Sequence, residues 1–335
     1  MNPTELPSIE STPMNQAAAP SHSLAHLPVA LFSTVMGIAG LALAWQKAAR
    51  LLGWPAAVGQ GLVWVASAVF VVVAFAYLVK WLRHPDAVHA ERAHPVKMNF
   101  VPTISIGILL LGVAWQPVVP AFASGVWAVG AALHLALTLI TMSAWIHHTH
   151  FEVQHLNPAW FIPVVGNIIV PLGGVHFAPL ELSWFFFSIG LVFWIVLLAV
   201  VMYRLFFHAP LALRLTPTLF ILLAPPSVGF VAYTGLTGGL DAFARVMYYT
   251  ALFLALLLAS NALRFYRLPF FVSAWAYSFP LAALTTATLR MAELSGLDFF
   301  VWLGSGLLGV TSVVIALLAV RTVRAAVAGE LIAGE

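Results

Sequence analysis

The sequence predicts an all-α integral membrane protein of ten transmembrane helices, arranged as five tandem helical hairpins. Three observations carry this expectation. The 335 residues are 62% hydrophobic and 7% charged, with a mean hydropathy of +1.00, whereas soluble domains carry roughly 25% charged residues. Apolar stretches of bilayer-crossing length, which takes ~20 residues per helix, recur along the whole chain. Proline then sorts those stretches into two alternating kinds.

Taken in order, residues 1–26 lack the basic start and apolar run of a signal peptide and read as a disordered cytoplasmic tail. Residues 27–325 form the membrane domain, with spans expected at about 28–46, 57–79, 97–116, 121–146, 158–177, 182–203, 214–235, 240–263, 268–290 and 298–320. The tract from Asn99 to Phe151 holds no Asp, Glu, Lys or Arg, which leaves room for two spans and a turn. Residues 326–335 are expected to be a short cytoplasmic tail.

The odd spans carry Pro28, Pro102, Pro163 with Pro171, Pro217 with Pro225 and Pro226, and Pro269 with Pro280. The even spans carry none within their limits. Each odd span also begins with proline in or near its first turn, where the missing N–H costs nothing. These opening prolines lie 52 to 74 residues apart, about one hairpin each, so the chain reads as five two-helix repeats. Proline interrupts the backbone ladder, and in a bilayer such breaks are tolerated only against protein or a wet cavity. The odd spans are therefore expected to form an inner ring around a central pore, kinked at Pro102, Pro163, Pro171, Pro225, Pro280 and Gly37. The straight, aromatic-rich even spans suit a lipid or subunit surface.

Charge placement orients the chain. Lys80, Arg83, Arg92, Lys97, Arg204, Arg214, Arg264, Arg267, Arg321 and Arg324 share the side of the N-terminus, against Lys47, Arg50, Arg245 and Arg290 on the other. The positive-inside rule then puts both termini in the cytoplasm. Membrane topology also accounts for the formal charge of +3, so a nucleic-acid partner is excluded. Cysteine is absent, which removes disulfides and thiolate metal sites. No cofactor is expected.

The ninth span concentrates the features of a pore wall, with Ser278, Pro280, Thr285 and Thr286 dotted through an apolar stretch. No Lys or Arg lies inside an odd span away from its ends, so any anion path must use weak ligands, as fast conduction requires. Candidates are Ser105, Asn167, Ser227, Ser278, Thr285 and Thr286. Lys97, Arg214 and Arg264 would raise the local anion concentration at the mouths. Arg290 and Glu293, spaced i, i+3, are expected to pair at the outer mouth.

The cluster His147, His148, His150 and His155 hints at a histidine box, but it has one carboxylate, Glu152, and no second box. It therefore reads as loop histidines, with no metal site. His134 lies within an even span, where a neutral imidazole bonded to a neighbouring helix is expected.

Several motifs in order carry a resemblance. Ala93-His94-Pro95-Val96-Lys97, Asn157-Pro158 with Pro163 and Asn167, Leu223-Ala224-Pro225 with Ala232-Tyr233, and Trp275-Ala276-Tyr277-Ser278-Phe279 resemble the TehA-like tellurite-resistance/dicarboxylate transporter family. The slow anion channels of plant guard cells belong to it. The resemblance implies a homotrimer in a bacterial inner (cytoplasmic) membrane, each protomer enclosing a pore gated by a phenylalanine at the position of Phe279. Val35 stands where the bacterial relative has a kink proline, and Pro280 directly follows the gate position. The implied activity is conduction of small monovalent inorganic anions, with no enzymatic step. The alternative is a proton-coupled carrier of C4-dicarboxylates or an exporter of tellurite-like oxyanions. A carrier of that kind should hold fixed cations or helix N-termini near the midplane, and the sequence shows no such cations.

Overall fold

The structure, a computed structural model, describes residues 23–147 and 151–333. Every regular element among them is helical. The main ones are α1 (Val29–Leu52), α2 (Ala56–Arg83), α3 (Pro85–Ala93), α4 (Lys97–Trp115), α5 (Pro120–His147), α6 (Pro158–Phe177), α7 (Leu180–Phe207), α8 (Leu213–Thr237), α9 (Ala242–Ala259), α10 (272–295) and α11 (Asp298–Val327). Among the described residues, nine of these are long and apolar enough to cross a membrane. Of the other two, α3 is short and polar, and α10 has spanning length but carries Arg290 and Glu293 near its end. The protein is therefore an all-α membrane protein.

Burial divides the helices in two. In the most apolar 18-residue window of α1, α4, α6 and α8, 67% to 83% of residues are buried, against 11% to 33% in α2, α5, α7, α9 and α11. α10 belongs with the buried set, since twelve of the 18 residues from Ser278 to Ser295 are buried. α1 packs on α4 and α10, α4 on α6, α6 on α8, and α8 on α10, which closes a ring. Each ring helix is backed by the outer helix that follows it, and the seams use small residues for close approach. A Cβ on Gly190 of α7, for example, would stand 2.6 Å from the Ile168 backbone nitrogen of α6.

Several outer helices run past their expected ends. The sequence placed breaks near Lys80, Arg204, Arg321 and Arg324, yet α2, α7 and α11 continue through these residues. Cations in a last turn suit the helix dipole, and their stems lie along apolar surface, so they extend a helix instead of stopping it.

The amphipathic α3 was absent from the expected span pattern because it is short and polar. Pro85 opens it, Asp86 stands in its first turn, and it turns Val88 and Glu91 inward. Glu91 is buried at 7% exposure and accepts hydrogen bonds from Val29 N–H (2.8 Å), Tyr77 OH (3.1 Å) and Lys80 Nζ (2.7 Å). Lys80 Nζ also donates to Leu27 O at 2.8 Å. An ion pair between α2 and α3 thus caps the start of the first ring helix, using otherwise orphaned backbone groups.

Of the expected N-terminal tail, residues 1–22 lie outside the described residues. Ser23 caps a 3₁₀ turn at Leu24–His26, its Oγ accepting the Ala25 N–H at 3.2 Å. Ser23 N–H donates to Ile332 O at 3.0 Å, so the two described ends of the chain meet on one face. All five ring helices start from this termini face. On the opposite face, Gly53, Gly238 and Gly296 end α1, α8 and α10 in left-handed conformation (φ +67° to +76°), which stops each helix in one residue.

Candidate functional site

The ring helices share a local feature that the outer ones lack. Each begins in 3₁₀ geometry on the termini face and later switches to α. Proline marks the switches in α4, α6, α8 and α10. Pro102 precedes the α segment starting at Thr103, Pro171 opens the one ending at Phe177, Pro225 is second in Ala224–Thr237, and Pro280 is third in Ser278–Ser295. Pro163 lies in a five-residue α segment, Phe161–Val165, flanked by 3₁₀ turns. The physical reason is common to all. The first turn of an α segment has N–H groups with no intrahelical acceptor, so proline fits there without loss, and the tighter 3₁₀ turn supplies the approach. Pro280, expected as a mid-helix break, is a first-turn residue.

Gly37 differs from its expected role. The α-helix Phe32–Leu52 runs unbroken through it. What Gly37 provides is contact with α10, for a Cβ there would stand 2.2 Å from Ser278 Oγ.

Two cavities lie along the ring axis. The larger, about 60 Å³, is lined from all five ring helices by residues such as Met36, Phe100, Phe161, Ile221, Pro225 and Phe279. It has room for a few waters or one small ion. The smaller, about 30 Å³, lies toward the opposite face and includes Gly40, Leu43, Leu110, Val231 and Thr286. Phe279 and Val228 border both. The Phe279 ring lies against α1 where a Cβ on Gly40 would come within 3.1 Å of its Cδ2.

The polar lining of the larger cavity is Ser33, Thr103 and Ser273, which the sequence did not single out. Their hydroxyl protons are taken by carbonyl oxygens of Ala30, Phe100 (2.5 Å) and Arg214 (2.5 Å) respectively. An ion there meets apolar surface and few free donors.

Of the six polar candidates, Thr286 borders the axial path; the other five tie helices together or bond along their own helix. Ser105 Oγ stands 2.9 Å from His134 Nδ1 of α5, and Asn167 Nδ2 donates to Thr138 Oγ1 at 2.9 Å. Thr285 Oγ1 is 3.0 Å from Thr311 Oγ1 of α11. Ser227 and Ser278 bond back to Leu223 O and Trp275 O. The mismatch has a cause. The period changes from 3.0 to 3.6 residues per turn inside each ring helix, so spacing alone does not say which face meets the axis.

Lys97, Arg214 and Arg264 are exposed on the termini face, at the starts of α4 and α8 and in the connection between α9 and α10, and none lines either of these two cavities. The Arg290 and Glu293 pair is present on the opposite face, and Lys47 of α1 joins it. His148 and His150 lie outside the described residues. His147 Nδ1 stands 2.9 Å from Ser143 O, and His155 Nδ1 accepts the Glu152 N–H at 3.1 Å. Among the described residues no group of three or more His, Asp or Glu is placed to hold a metal ion.

A closed ring of helices, backed by a second ring and holding two cavities along its axis, defines a multi-pass membrane protein. Residues 26–323 match the family model for voltage-dependent anion channels, and the chain belongs to that family. The S-type anion channel SLAH3 of Arabidopsis thaliana is 30% identical over 277 residues, covering 80% of this chain and 44% of the plant protein. The tellurite resistance protein TehA homolog of Haemophilus influenzae is 27% identical over 323 residues, covering 91% of this chain and 92% of its own. An uncharacterized transporter of Methanocaldococcus jannaschii, MJ0576, is 26% identical over 328 residues, 91% and 94% of the two chains. This chain spans about half the length of the plant relatives SLAH3 and SLAH2.

Proposed function

We propose that the protein is an anion channel, or channel-like uniporter, in which small monovalent anions follow the axial path of each protomer and Phe279 closes it. One observation carries the reading: Phe279 borders both axial cavities, while every Lys and Arg stands off them. An aromatic ring in a narrow apolar passage excludes water and blocks ions by dewetting. With few donors in the walls, selection follows dehydration cost, so large, weakly hydrated anions pass more readily than small ones. Exposed cations at the mouths concentrate anions without trapping them.

The ten-span count rests on nine apolar helices plus α10, and the meeting of the two chain ends on one face favours an even number of crossings. The excess of Lys and Arg on that face favours a cytoplasmic location for it, in a bacterial inner membrane. The exposed Trp64, Phe75 and Trp302 of the outer helices suit lipid or the neighbouring copies of a homotrimer.

The second reading is a carrier of C4-dicarboxylates or an exporter of tellurite, the latter in line with the name of the Haemophilus relative, a tellurite resistance protein homolog. A channel fits better, because no cation lines either cavity to grip a divalent substrate. The test is anion flux into proteoliposomes across halides, nitrate and dicarboxylates. Phe279→Ala should raise halide and nitrate flux on the order of tenfold, equivalent to removing ~1.4 kcal/mol of barrier. A folded Phe279→Ala protein with unchanged flux, or saturable uptake that follows the proton gradient, would defeat the proposal.

A further inference from the structure

We infer that Lys47, Arg290 and Glu293 form an anion-exchange station at the opposite-face exit of the axial path, where Glu293 is a tethered carboxylate that a permeating monovalent anion displaces. The inference rests on the anion-channel reading and adds a binding site to it.

The position follows from helix geometry. Leu43 and Thr286 line the smaller cavity from α1 and α10. Lys47 and Arg290 each follow four residues later, on the same helix face and one turn nearer the opposite face. Both cations converge on one oxygen, Oε2 of Glu293. A third ring helix takes part, for Arg290 reaches Thr234 of α8 through Nε to Oγ1 (3.4 Å) and NH2 to the carbonyl oxygen (3.3 Å). Thr234 itself is buried, one turn beyond the cavity-lining Val231.

Charge is unbalanced at this exit. Lys47 and Arg290 share a single carboxylate, Glu293, and the exposed Arg50 adds a like charge near Lys47. The other acids of this face, Glu181, Asp241 and Asp298, stand at the first turns or the N-cap of outer helices α7, α9 and α11, where they complement those helix dipoles. Asp241, for instance, accepts the Ala244 N–H at 2.8 Å.

Exposure ranks the three side chains in the order exchange requires. Lys47 is 12% exposed and Arg290 23%, but Glu293 is 39% exposed. The cations are held in place by packing and Thr234, while the carboxylate has an open way to solvent. An anion arriving from the cavity or from outside replaces one set of charge-assisted hydrogen bonds with an equivalent set, so neither the cations nor the ion passes through an unpaired state. A carboxylate that competes with the ion also keeps the site weak, which fast exit needs.

The experiment measures nitrate and bromide flux against anion concentration on the opposite face, in a Phe279→Ala background so that the gate does not limit it. Glu293→Gln should lower the half-saturating concentration about threefold, the scale of an exposed ion pair, and Lys47→Gln or Arg290→Gln should raise it similarly. Glu293→Asp, which keeps the charge on a shorter tether, should fall between Gln and wild type. Bromide-soaked crystals give a readout independent of conduction: an anomalous peak beside Lys47 Nζ is expected in Glu293→Gln and none in Lys47→Gln. If Phe279→Ala conducts and the Glu293 variants leave half-saturation unchanged, the station is a structural clasp and the inference falls while the channel reading stands. If Phe279→Ala does not conduct, the channel reading falls, and a missing bromide peak in Glu293→Gln would overturn the station as well.

Discussion

The inner and outer rings are both built from apolar sequence, with window mean hydropathies of 1.6–1.8 in α1, α4, α6 and α8 and 1.7–2.8 in the outer helices, yet they differ in almost every structural respect. α2, α5 and α7 are continuous 28-residue α-helices with most of their surface exposed. α4, α6, α8 and α10 are mosaics of 3₁₀ and α segments with most of their surface buried. The lesson concerns backbone satisfaction. A helix that faces hydrocarbon has no neighbour to take a freed N–H or carbonyl, so it stays regular. One enclosed by four neighbours is able to change its winding, and the change of winding shapes the cavity.

Substitutions can break or sharpen this contrast. The largest effect is expected at the ion pair that anchors an outer helix to the start of the ring. Glu91→Gln leaves Lys80 buried without its counter-charge, which should cost about 3–5 kcal/mol and lower the thermal midpoint in detergent markedly. A small shift would mean that α3 does not hold α1 in place. Next is Gly37→Ala, whose added methyl meets Ser278 of α10 and should cost about 1–3 kcal/mol by overpacking. A mere bend at Gly37 predicts instead that alanine stabilises the helix.

Pro280→Ala comes third. Because Pro280 occupies a first turn, the substitution should change the thermal midpoint by less than about 1 kcal/mol equivalent. A proline kinking a helix interior would instead respond by about 3 kcal/mol. The smallest effect is expected on the outer ring, where Val72→Ala, 67% exposed on α2, should stay within about 0.5 kcal/mol. A larger loss in the assembled protein would show that another copy covers α2.

Much of this fold is legible in the sequence because hydropathy and proline each report a strong physical constraint. The odd-even sorting of proline anticipated which helices are buried, and the i, i+3 spacing anticipated the Arg290–Glu293 pair. What escaped depends on rotation about a helix axis. Ser105 and Asn167 have the chemistry of pore ligands but turn toward His134 and Thr138 of α5. Thr103 and Ser273, which do face the cavity, look no different in sequence. α3 escaped because a short polar helix resembles a loop, and Lys47 because its partner Glu293 lies far along the chain.

That distance matters most for how the protein is made. The first ring helix packs against the last, through Gly37 and Ser278, and Ser23 meets Ile332 on the termini face. As the chain leaves the ribosome, α1 therefore waits in the membrane with one flank uncovered until the final hairpin arrives. Closure is then a single late event joining the first and last ring helices, the kind of long-range contact that slows folding. Damage in α10 or α11 would thus strand an open ring of four hairpins, and quality-control proteases would meet that form first.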